Sequence, residues 1–530
     1  MLRSRNKIRH AEDDNGKGDK VPSRVLTSPR QQHQPQLIVP TWILCATVAF
    51  FLFLGFSSEH YKRSREADHF HEGSTSAHKT KDDVQNGFHK VPDHLIGKSM
   101  LSFEEDEQLE YDATNQRYHV IFSTDCSPYQ HWQSYLVYFT AMKVRQPGHV
   151  TRIVSGCTAK EAVEMNKWFN EKVQFMSKRF HIHLTPKFSE VRDETGKVVG
   201  DYKFFNKPRG LKHWLEHFDL VGFDEDGGTF EHPDDIVILI DPDMALMRPI
   251  TKDFSDERET LISKRRLDGH ILSKEVKHGV PFAQTYGLGT QWQKFDLDKI
   301  AGEHSPAKDV SKVDGQLYFP AGPPYIGTVK DMYRIALKWS EFVPLVHAQY
   351  PYLLAEMYAY CIAAAHLGLK HQLIDSLMIS NPSIGGEGWE LIDKIPPQET
   401  CEFAKDPDND KYALPSVIHM CQRYSVGQDW FFGKRRIPND IYECETPLFE
   451  EPPRDLALKY DYKWPPNAKE KTPLSSKLIN QQTFMVCSLT RLLNDASIFY
   501  KTAACIDRKP NMNRSRKVAD LFVEREKINS

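Results

Sequence analysis

The sequence has almost no excess of charge of either sign, since 69 Lys and Arg residues stand against 72 Asp and Glu residues in a chain of 530. This balance argues against a nucleic-acid-binding protein held by a global basic field, and we predict no nucleic-acid partner. Glycine and proline are not abundant, with 28 and 32 residues, which excludes a collagen-like chain. The apolar fraction of 40% is too high for a chain that is disordered throughout.

Long apolar runs are absent apart from residues 37–56, which carry no charge over the length that a helix needs to cross a bilayer. The run starts too late for a signal peptide, is longer than the apolar region of one, and lacks an A-x-A cleavage site. An uncleaved anchor is therefore favoured. Eight Lys and Arg residues against four Asp and Glu residues precede it, which predicts a cytosolic N-terminus and a lumenal remainder, although Lys62, Arg63 and Arg65 follow it. We therefore predict a single-pass type II membrane protein.

Cysteine pairs at zinc-binding spacing are also missing, because no two of the nine cysteines form a C-x-x-C motif. Cys45 lies in the predicted span. The other eight form an even set that allows up to four disulfides in an oxidising compartment, and the sequence does not assign their pairing. This set consists of Cys126, Cys157, Cys361, Cys401, Cys421, Cys444, Cys487 and Cys505.

Composition divides the chain into five predicted parts. Residues 1–36 form a cytosolic tail, residues 37–56 the transmembrane helix, and residues 57–115 a polar stem. Candidate strands and amphipathic helices alternate over residues 116–450, which indicates an α/β domain with crossover connections. Residues 451–530 form a C-terminal extension to which the sequence assigns no role.

The most informative run is Ile236–Ile240, whose continuous aliphatic character predicts a central strand covered on both faces. It ends in Asp241-Pro-Asp243, at the carboxyl edge where open α/β sheets bind ligands. Carboxylate oxygens are suitable ligands for Mg²⁺ or Mn²⁺, and such an ion can bind a diphosphate. The acidic pair therefore favours a nucleotide-sugar site. A polar turn that merely ends a strand remains the alternative.

Ordered motifs from about His119 to Lys434 carry a resemblance to a known family. The motifs are Ser123–Asp125, His131–Gln133, Thr151–Ser155, Asn206–Pro208, Trp214–Leu215, Ile238–Met244 with Pro249, Glu356–Tyr360 and Ile418–His419. On these motifs, the sequence resembles the hydroxyproline O-arabinosyltransferase and peptidyl-serine α-galactosyltransferase group of glycosyltransferases. The resemblance implies a GT-A-like, Rossmann-like catalytic domain on a membrane anchor, located in the Golgi membrane or alternatively the ER.

The resemblance implies a set of metal ligands. Asp241 and Asp243 match the metal-binding pair, Asp243 is thereby also assigned to the catalytic centre, and His419 matches a further ligand from a later strand. The expected cofactor is Mn²⁺ or Mg²⁺, and a neutral imidazole is a reasonable Mn²⁺ ligand. An ordinary core histidine is the alternative for His419.

Five further residues are implied to approach a UDP-sugar donor. Thr124 and Asp125 follow the first strand and are expected near the uridine, whereas Arg152 is expected to pair with a phosphate or an acid. Asn206 and Lys207 precede a helix and would donate to the sugar or the diphosphate. The alternatives are a surface ion pair for Arg152, helix capping for Asn206 and solvation for Lys207.

Glu356 is the acid predicted to act beside the metal pair. It lies in an apolar helix, where a carboxylate needs a partner or a ligand. In an inverting enzyme it would be the general base. The resembling families retain configuration, so it is expected to orient the acceptor or to stabilise an oxocarbenium-like centre; a buried ion pair is the alternative.

The resemblance implies transfer of a sugar, arabinofuranose or galactose, to hydroxyproline or serine hydroxyls of secreted or cell-surface proteins. Donor and acceptor stay open, because Arg145–Gly148 resembles the serine enzymes while the Glu356 and Gly433-Lys434 motifs resemble the hydroxyproline enzymes. A non-catalytic, membrane-anchored protein that binds sugar or peptide on a transferase fold is the alternative, and a metal-dependent hydrolase is a third. The sequence does not predict the oligomeric state.

Overall fold

A computed structural model of the protein describes residues 103–264, 271–427, 429–459, 475–505 and 508–518. The chain divides into two compact units, residues 1–80 and 81–530, and every described residue belongs to the second. The predicted cytosolic tail and the predicted span at residues 37–56 lie outside the described residues. Among the helices that the structure describes, none combines the length and the apolar character needed to cross a membrane.

The described part of the chain contains strands, α-helices and short 3₁₀ turns. The strands are β1 (Tyr118–Asp125), β2 (His149–Ser155), β3 (Phe180–Thr185), β4 (Glu190–Arg192), β5 (Val198–Asp201), β6 (Phe223–Asp224), β7 (Thr229–Phe230), β8 (Ile236–Ile240), β9 (Met244–Leu246), β10 (Phe282–Thr285), β11 (Ala321–Thr328), β12 (Gln372–Ile374), β13 (Met378–Ile379), β14 (Val417–His419), β15 (Arg423–Val426), β16 (Trp430–Gly433), β17 (Leu448–Phe449) and β18 (Arg514–Arg516). The α-helices are α1 (Phe103–Gln108), α2 (His131–Lys143), α3 (Ala159–Lys172), α4 (Asn206–His217), α5 (Leu297–Ala301), α6 (Lys312–Tyr318), α7 (Val329–Gln349), α8 (Ala355–His366), α9 (Trp389–Ile392), α10 (Pro397–Lys405), α11 (Leu456–Lys459) and α12 (Ser476–Ala504). The 3₁₀ turns are Pro128–Gln130, Lys203–Phe205, Asp219–Val221, Gln291–Lys294, Pro306–Asp309 and Lys434–Arg436.

A seven-stranded sheet in the order β12-β10-β11-β8-β1-β2-β3 forms the centre of the described residues. Strands β8, β1, β2 and β3 are parallel, β11 is antiparallel to both β8 and β10, and β10 is parallel to β12. The predicted α/β class is confirmed: a mixed, mostly parallel sheet fits a Rossmann-like transferase. Because β1 and β8 are parallel neighbours, their carboxyl ends lie at the same edge of the sheet.

Strand β8 has the buried, two-sided environment that its aliphatic sequence predicts. Ile236, Ile238 and Ile240 pack in a hydrophobic cluster with α2 and α12, whereas Val237 and Leu239 pack in a second cluster with α4, α7 and α8. Alternate residues of a strand point to opposite faces, so helices cover both sides of the sheet. All five side chains are buried.

Strand β11 was not predicted, because its sequence Ala-Gly-Pro-Pro-Tyr-Ile-Gly-Thr contains the residues that usually interrupt strands. Its pairing with β10 shifts register, so that Ala283 faces Tyr325 while Gln284 faces Gly322. The two prolines, Pro323 and Pro324, therefore fall in an irregularity where no ladder hydrogen bond is required of them.

The ends of the described region pack onto the domain. At the N-terminal end, the buried Asp106 of α1 pairs with Arg179 at 2.9 Å. At the C-terminal end, α12 is largely buried and packs against α2, α10 and β15. The domain of the described residues thus includes parts of the segments predicted as stem and C-terminal extension, whose boundaries stay predictions.

Six of the eight cysteines outside the predicted span are paired. The disulfides are Cys126–Cys157, Cys401–Cys487 and Cys444–Cys505. Cys361 and Cys421 are free thiols, so three of the up to four expected bridges are present. Two of these disulfides fasten α12 and its C-terminal end to the preceding chain.

Candidate metal and nucleotide-sugar site

The acidic turn Asp241-Pro-Asp243 connects β8 to the short strand β9. Strand β14 pairs antiparallel with β9 in a second, three-stranded sheet, and in this register His419 lies opposite Met244. The backbone N–H of Met420 donates to the carbonyl of Asp243 at 2.9 Å. Strand pairing therefore carries His419, remote in sequence, to the acidic turn.

Asp241, Asp243 and His419 form a group whose candidate ligand atoms all lie within 4.8 Å of one another, the one such group of acids, histidines or cysteines that the described residues contain. The imidazole Nε2 of His419 lies 3.3 Å from Oδ1 of Asp243, and Nδ1 lies 3.2 Å from the sulfur of Met378. Two carboxylates and one imidazole are a donor set that fits Mn²⁺, and a hard oxygen pair also suits Mg²⁺. The three residues predicted as metal ligands are thus brought together.

Each carboxylate of the group has a lysine partner. Lys207 Nζ lies 2.7 Å from Oδ1 of Asp241, and Lys434 Nζ donates to Oδ2 of Asp243. Burial opposes ionisation of Asp243, but the charges of His419 and Lys434 outweigh it and lower the pKa of the carboxyl. Burial disfavours the ammonium of Lys207, yet the charges of Asp241 and Glu356 raise its pKa. Two ammonium groups beside an acidic pair form an environment suited to a diphosphate bound through a cation.

Glu356 belongs to the same network. Its Oε1 lies 3.3 Å from Nζ of Lys207, which therefore bridges it to Asp241. The Glu356 backbone is fixed by a hydrogen bond from its N–H to the hydroxyl of Tyr202 at 3.2 Å and by one from Trp339 Nε1 to its carbonyl at 2.8 Å. Burial raises the pKa of Glu356 to about 7, although Lys207 acts to lower it. This carboxyl can therefore change protonation near neutral pH.

Thr124 and Arg152 form a separate polar cluster. The Arg152 guanidinium is fully buried, donates from Nε to Oγ1 of Thr124 at 2.9 Å and stacks over Trp168 at 5.2 Å. Another of its nitrogens lies 3.2 Å from Nδ1 of His131, and burial lowers the pKa of Arg152 to about 10. The alternative of a surface ion pair for Arg152 is therefore wrong, because the side chain is buried between the sheet and helices α2 and α3.

Asp125 and Asn206, the other two residues predicted to bind the donor, lie outside the Thr124–Arg152 cluster. Asp125 ends β1 and pairs with Lys203 at 2.7 Å. Asn206 is the first residue of α4, but its side chain accepts from the N–H of Phe188 at 3.3 Å and makes no capping hydrogen bond. Asp125 thus shares the sheet edge with Asp241, whereas Asn206 is tied to a neighbouring loop.

Sequence reasoning assigned no role to Lys434 or Tyr325. Lys434 follows β16, and in the sequence the Gly433-Lys434 pair stands out only as part of a motif. Tyr325 lies in β11, whose prolines and glycines concealed a strand beside β8. A basic residue after an aromatic strand was the available signal for Lys434; for Tyr325 there was none.

Comparison with known proteins gives a distant relationship. No family model matches the sequence. The chain is 26% identical over 371 residues to the peptidyl serine alpha-galactosyltransferase of Arabidopsis thaliana, an alignment that covers 68% of this chain and 36% of that protein. The chain therefore spans about a third of the length of this curated relative. The resemblance drawn from the ordered motifs is confirmed at this level.

Proposed function

From this distant relationship to a glycosyltransferase group, we propose that the chain is a metal-assisted glycosyltransferase. It transfers a sugar, arabinofuranose or galactose, from a UDP-sugar to hydroxyproline or serine hydroxyls of secreted or cell-surface proteins, with retention of configuration. It acts as a type II protein anchored by residues 37–56 in the Golgi membrane, with the ER as the alternative. The convergence of Asp241, Asp243, His419 and two lysines at one sheet edge is the observation that carries the proposal.

Asp241, Asp243 and His419 would hold the metal, which would neutralise the negative charge that develops on the diphosphate. Lys207 and Lys434 contact these carboxylates, so their ammonium groups add positive charge beside the proposed diphosphate position. Such preorganised charge commonly supplies the largest share of catalysis in group transfer.

Glu356 faces the reacting carbon in this proposal. As a carboxylate it stabilises the positive charge that develops at the anomeric centre while the bond to the diphosphate breaks. The acceptor hydroxyl forms the new bond on the same face of the sugar, and its proton passes to the departing diphosphate. Asp125 and Thr124, at the end of β1, lie toward the nucleoside, with Arg152 behind them.

The proposal is tested with the full chain expressed in a secretory host and purified in detergent. UDP release is measured with Mn²⁺, a panel of UDP-sugars and paired hydroxyproline and serine peptides. We expect release with a peptide acceptor that falls at least about 100-fold in the Asp241→Ala/Asp243→Ala double variant. The exposed hairpin variant Asp193→Ala is the matched control and should behave like wild type.

Three results would contradict the proposal. Absence of UDP release with every donor excludes a transferase of this class. Binding of a glycopeptide without any binding of UDP supports the non-catalytic alternative. Free sugar as the main product at saturating peptide indicates a hydrolase.

A further inference from the structure

Two buried polar atoms beside the acidic pair retain hydrogen-bonding capacity. The phenol oxygen of Tyr325 makes no hydrogen bond within the described residues, and Oε1 of Glu356 has Lys207 Nζ, 3.3 Å away, as its partner and can accept a second hydrogen bond. Tyr325 is 0% exposed and Glu356 is 2% exposed. A buried polar atom without a hydrogen bond is costly, so proteins seldom retain one unless a ligand or a function requires it.

The fold directs both side chains to the same place. Tyr325 lies opposite Leu239 in the pairing of β11 with β8, two residues before Asp241. Its ring stacks on that of Tyr360 with centroids 3.9 Å apart, and Tyr360 follows Glu356 by one turn of α8. Burial is the main cause of the raised pKa of the Tyr325 hydroxyl, and the nearby charges of Glu356 and Asp241 add to it.

We propose that the hydroxyl of Tyr325 and Oε1 of Glu356 form a subsite for one hydroxyl group of the donor sugar. The inference rests on the proposed function and adds to it a residue that determines donor specificity. Lys207 joins the subsite to Asp241, so the subsite adjoins the predicted position of the diphosphate.

The chemistry of the two atoms selects the ligand group. A carboxylate oxygen only accepts hydrogen bonds, whereas a phenol can donate one. A sugar hydroxyl satisfies both at once, because it donates to Glu356 while it accepts from Tyr325. A deoxy position leaves the Tyr325 hydroxyl without a partner and removes the second hydrogen bond to Glu356, and sites built to bind a hydroxyl discriminate strongly against analogues that lack it.

Tyr360 provides a matched control because its hydroxyl already has a partner within the protein. That hydroxyl lies 2.8 Å from Nε2 of the buried His371. Tyr360→Phe should therefore lower the unfolding temperature without affecting sugar recognition. Tyr325→Phe removes a hydroxyl that stabilises nothing in the structure, so the unfolding temperature should stay the same or rise.

The experiment uses the full chain in detergent with Mn²⁺. Calorimetry measures the affinities of UDP, of the preferred donor among UDP-galactose and UDP-arabinofuranose, and of its monodeoxy analogues. We expect wild type to discriminate about 10-fold or more against one deoxy analogue, and Tyr325→Phe to lose that discrimination while it binds UDP normally. Tyr360→Phe should keep the wild-type discrimination.

Separate outcomes distinguish failure of the subsite from failure of the proposed function. If wild type binds neither UDP nor any UDP-sugar with Mn²⁺, both the proposed function and the subsite are overturned. If wild type binds the donor but Tyr325→Phe discriminates as wild type does, the subsite alone is overturned. A fall in unfolding temperature equal to that of Tyr360→Phe also overturns it, because the hydroxyl would then have a structural role.

Discussion

His419 and Asp243 contact each other across a strand pair: Nε2 of the imidazole lies 3.3 Å from Oδ1 of the carboxylate, because β14 pairs with β9 directly after the acidic turn. The histidine is buried, and its carbonyl accepts from the hydroxyl of Tyr424 at 2.8 Å, which fixes its backbone. An imidazole held this firmly could bind a metal without a large ordering cost.

The variant His419→Gln should bind Mn²⁺ at least about 10-fold more weakly than wild type, since it replaces the imidazole nitrogen by a poorer ligand. Electron paramagnetic resonance of free Mn²⁺ measures the affinity of the full chain. His217→Gln, on the exposed face of α4, is the control and should match wild type. Unchanged Mn²⁺ affinity in His419→Gln would remove this residue from the ligand set.

Removal of the Lys434 ammonium should change metal and nucleotide affinity in opposite directions. Lys434 donates to the Asp243 carboxylate and therefore competes with a cation for it. Lys434→Met should bind Mn²⁺ several-fold more tightly, and in saturating Mn²⁺ it should bind UDP about 10-fold more weakly because a positive charge beside the diphosphate is lost. Calorimetry measures both affinities.

Lys434→Arg is the matched control for this prediction, because it keeps the charge. Its Mn²⁺ and UDP affinities should lie closer to those of wild type than to those of Lys434→Met. If Lys434→Met weakens both affinities equally, the lysine supports the structure of the site rather than its electrostatics.

The stability of the domain should fall as the pH drops below about 6.5, because of buried neutral histidines. Nδ1 of His149 lies 3.0 Å from Nε2 of His181, a contact that requires one nitrogen to be unprotonated. Burial lowers the pKa of His149 to about 2 and that of His181 to about 4. Below about 6.5 the unfolded chain binds protons that the native histidines do not, so each contributes a loss of about 1.4 kcal/mol per pH unit.

Glu356 acts in the opposite direction, since its pKa is raised to about 7 and the native state binds its proton before the unfolded state does. The effect of the histidines is therefore measured as the difference in pH dependence between wild type and a histidine variant. Urea unfolding of wild type and His149→Gln between pH 7.5 and 4.5 should show a shallower loss of stability in the variant. The exposed His304→Gln is the control and should lose stability with the wild-type slope. A wild-type slope in His149→Gln would contradict the prediction.

The sequence predicts best those features that repeat along a strand or helix. The aliphatic run Ile236–Ile240 predicts a central strand that is buried on both faces, and the acidic turn after it predicts the metal pair. His419 could be associated with that pair only through a motif, because its proximity depends on the pairing of β14 with β9. Tyr325 could not be predicted, because an irregular strand brings it to the site. For Lys434 the only sequence signal is a basic residue after an aromatic strand, and its place at the site depends on a tertiary contact that periodicity does not show.

Helix α12 should behave as part of the cooperative unit rather than as an appendage. Phe484 and Phe499 pack in the same hydrophobic cluster as β8, and Cys401–Cys487 joins the helix to α10 across a sequence separation of 86 residues. Loss of that disulfide should lower the free energy of unfolding by about 2–4 kcal/mol in Cys401→Ala/Cys487→Ala. Urea unfolding followed by fluorescence and by circular dichroism measures this loss, and the two signals should change together in one transition.

The single variants test whether the two sulfurs act as one bond. Cys401→Ala and Cys487→Ala should each cost about as much as the double variant, since either substitution removes the same disulfide. Additive costs would mean that the thiols contribute separately. If α12 alone unfolded at a lower urea concentration and UDP affinity were retained, the segment would be an independent extension. This is what the sequence predicts for the residues after 450.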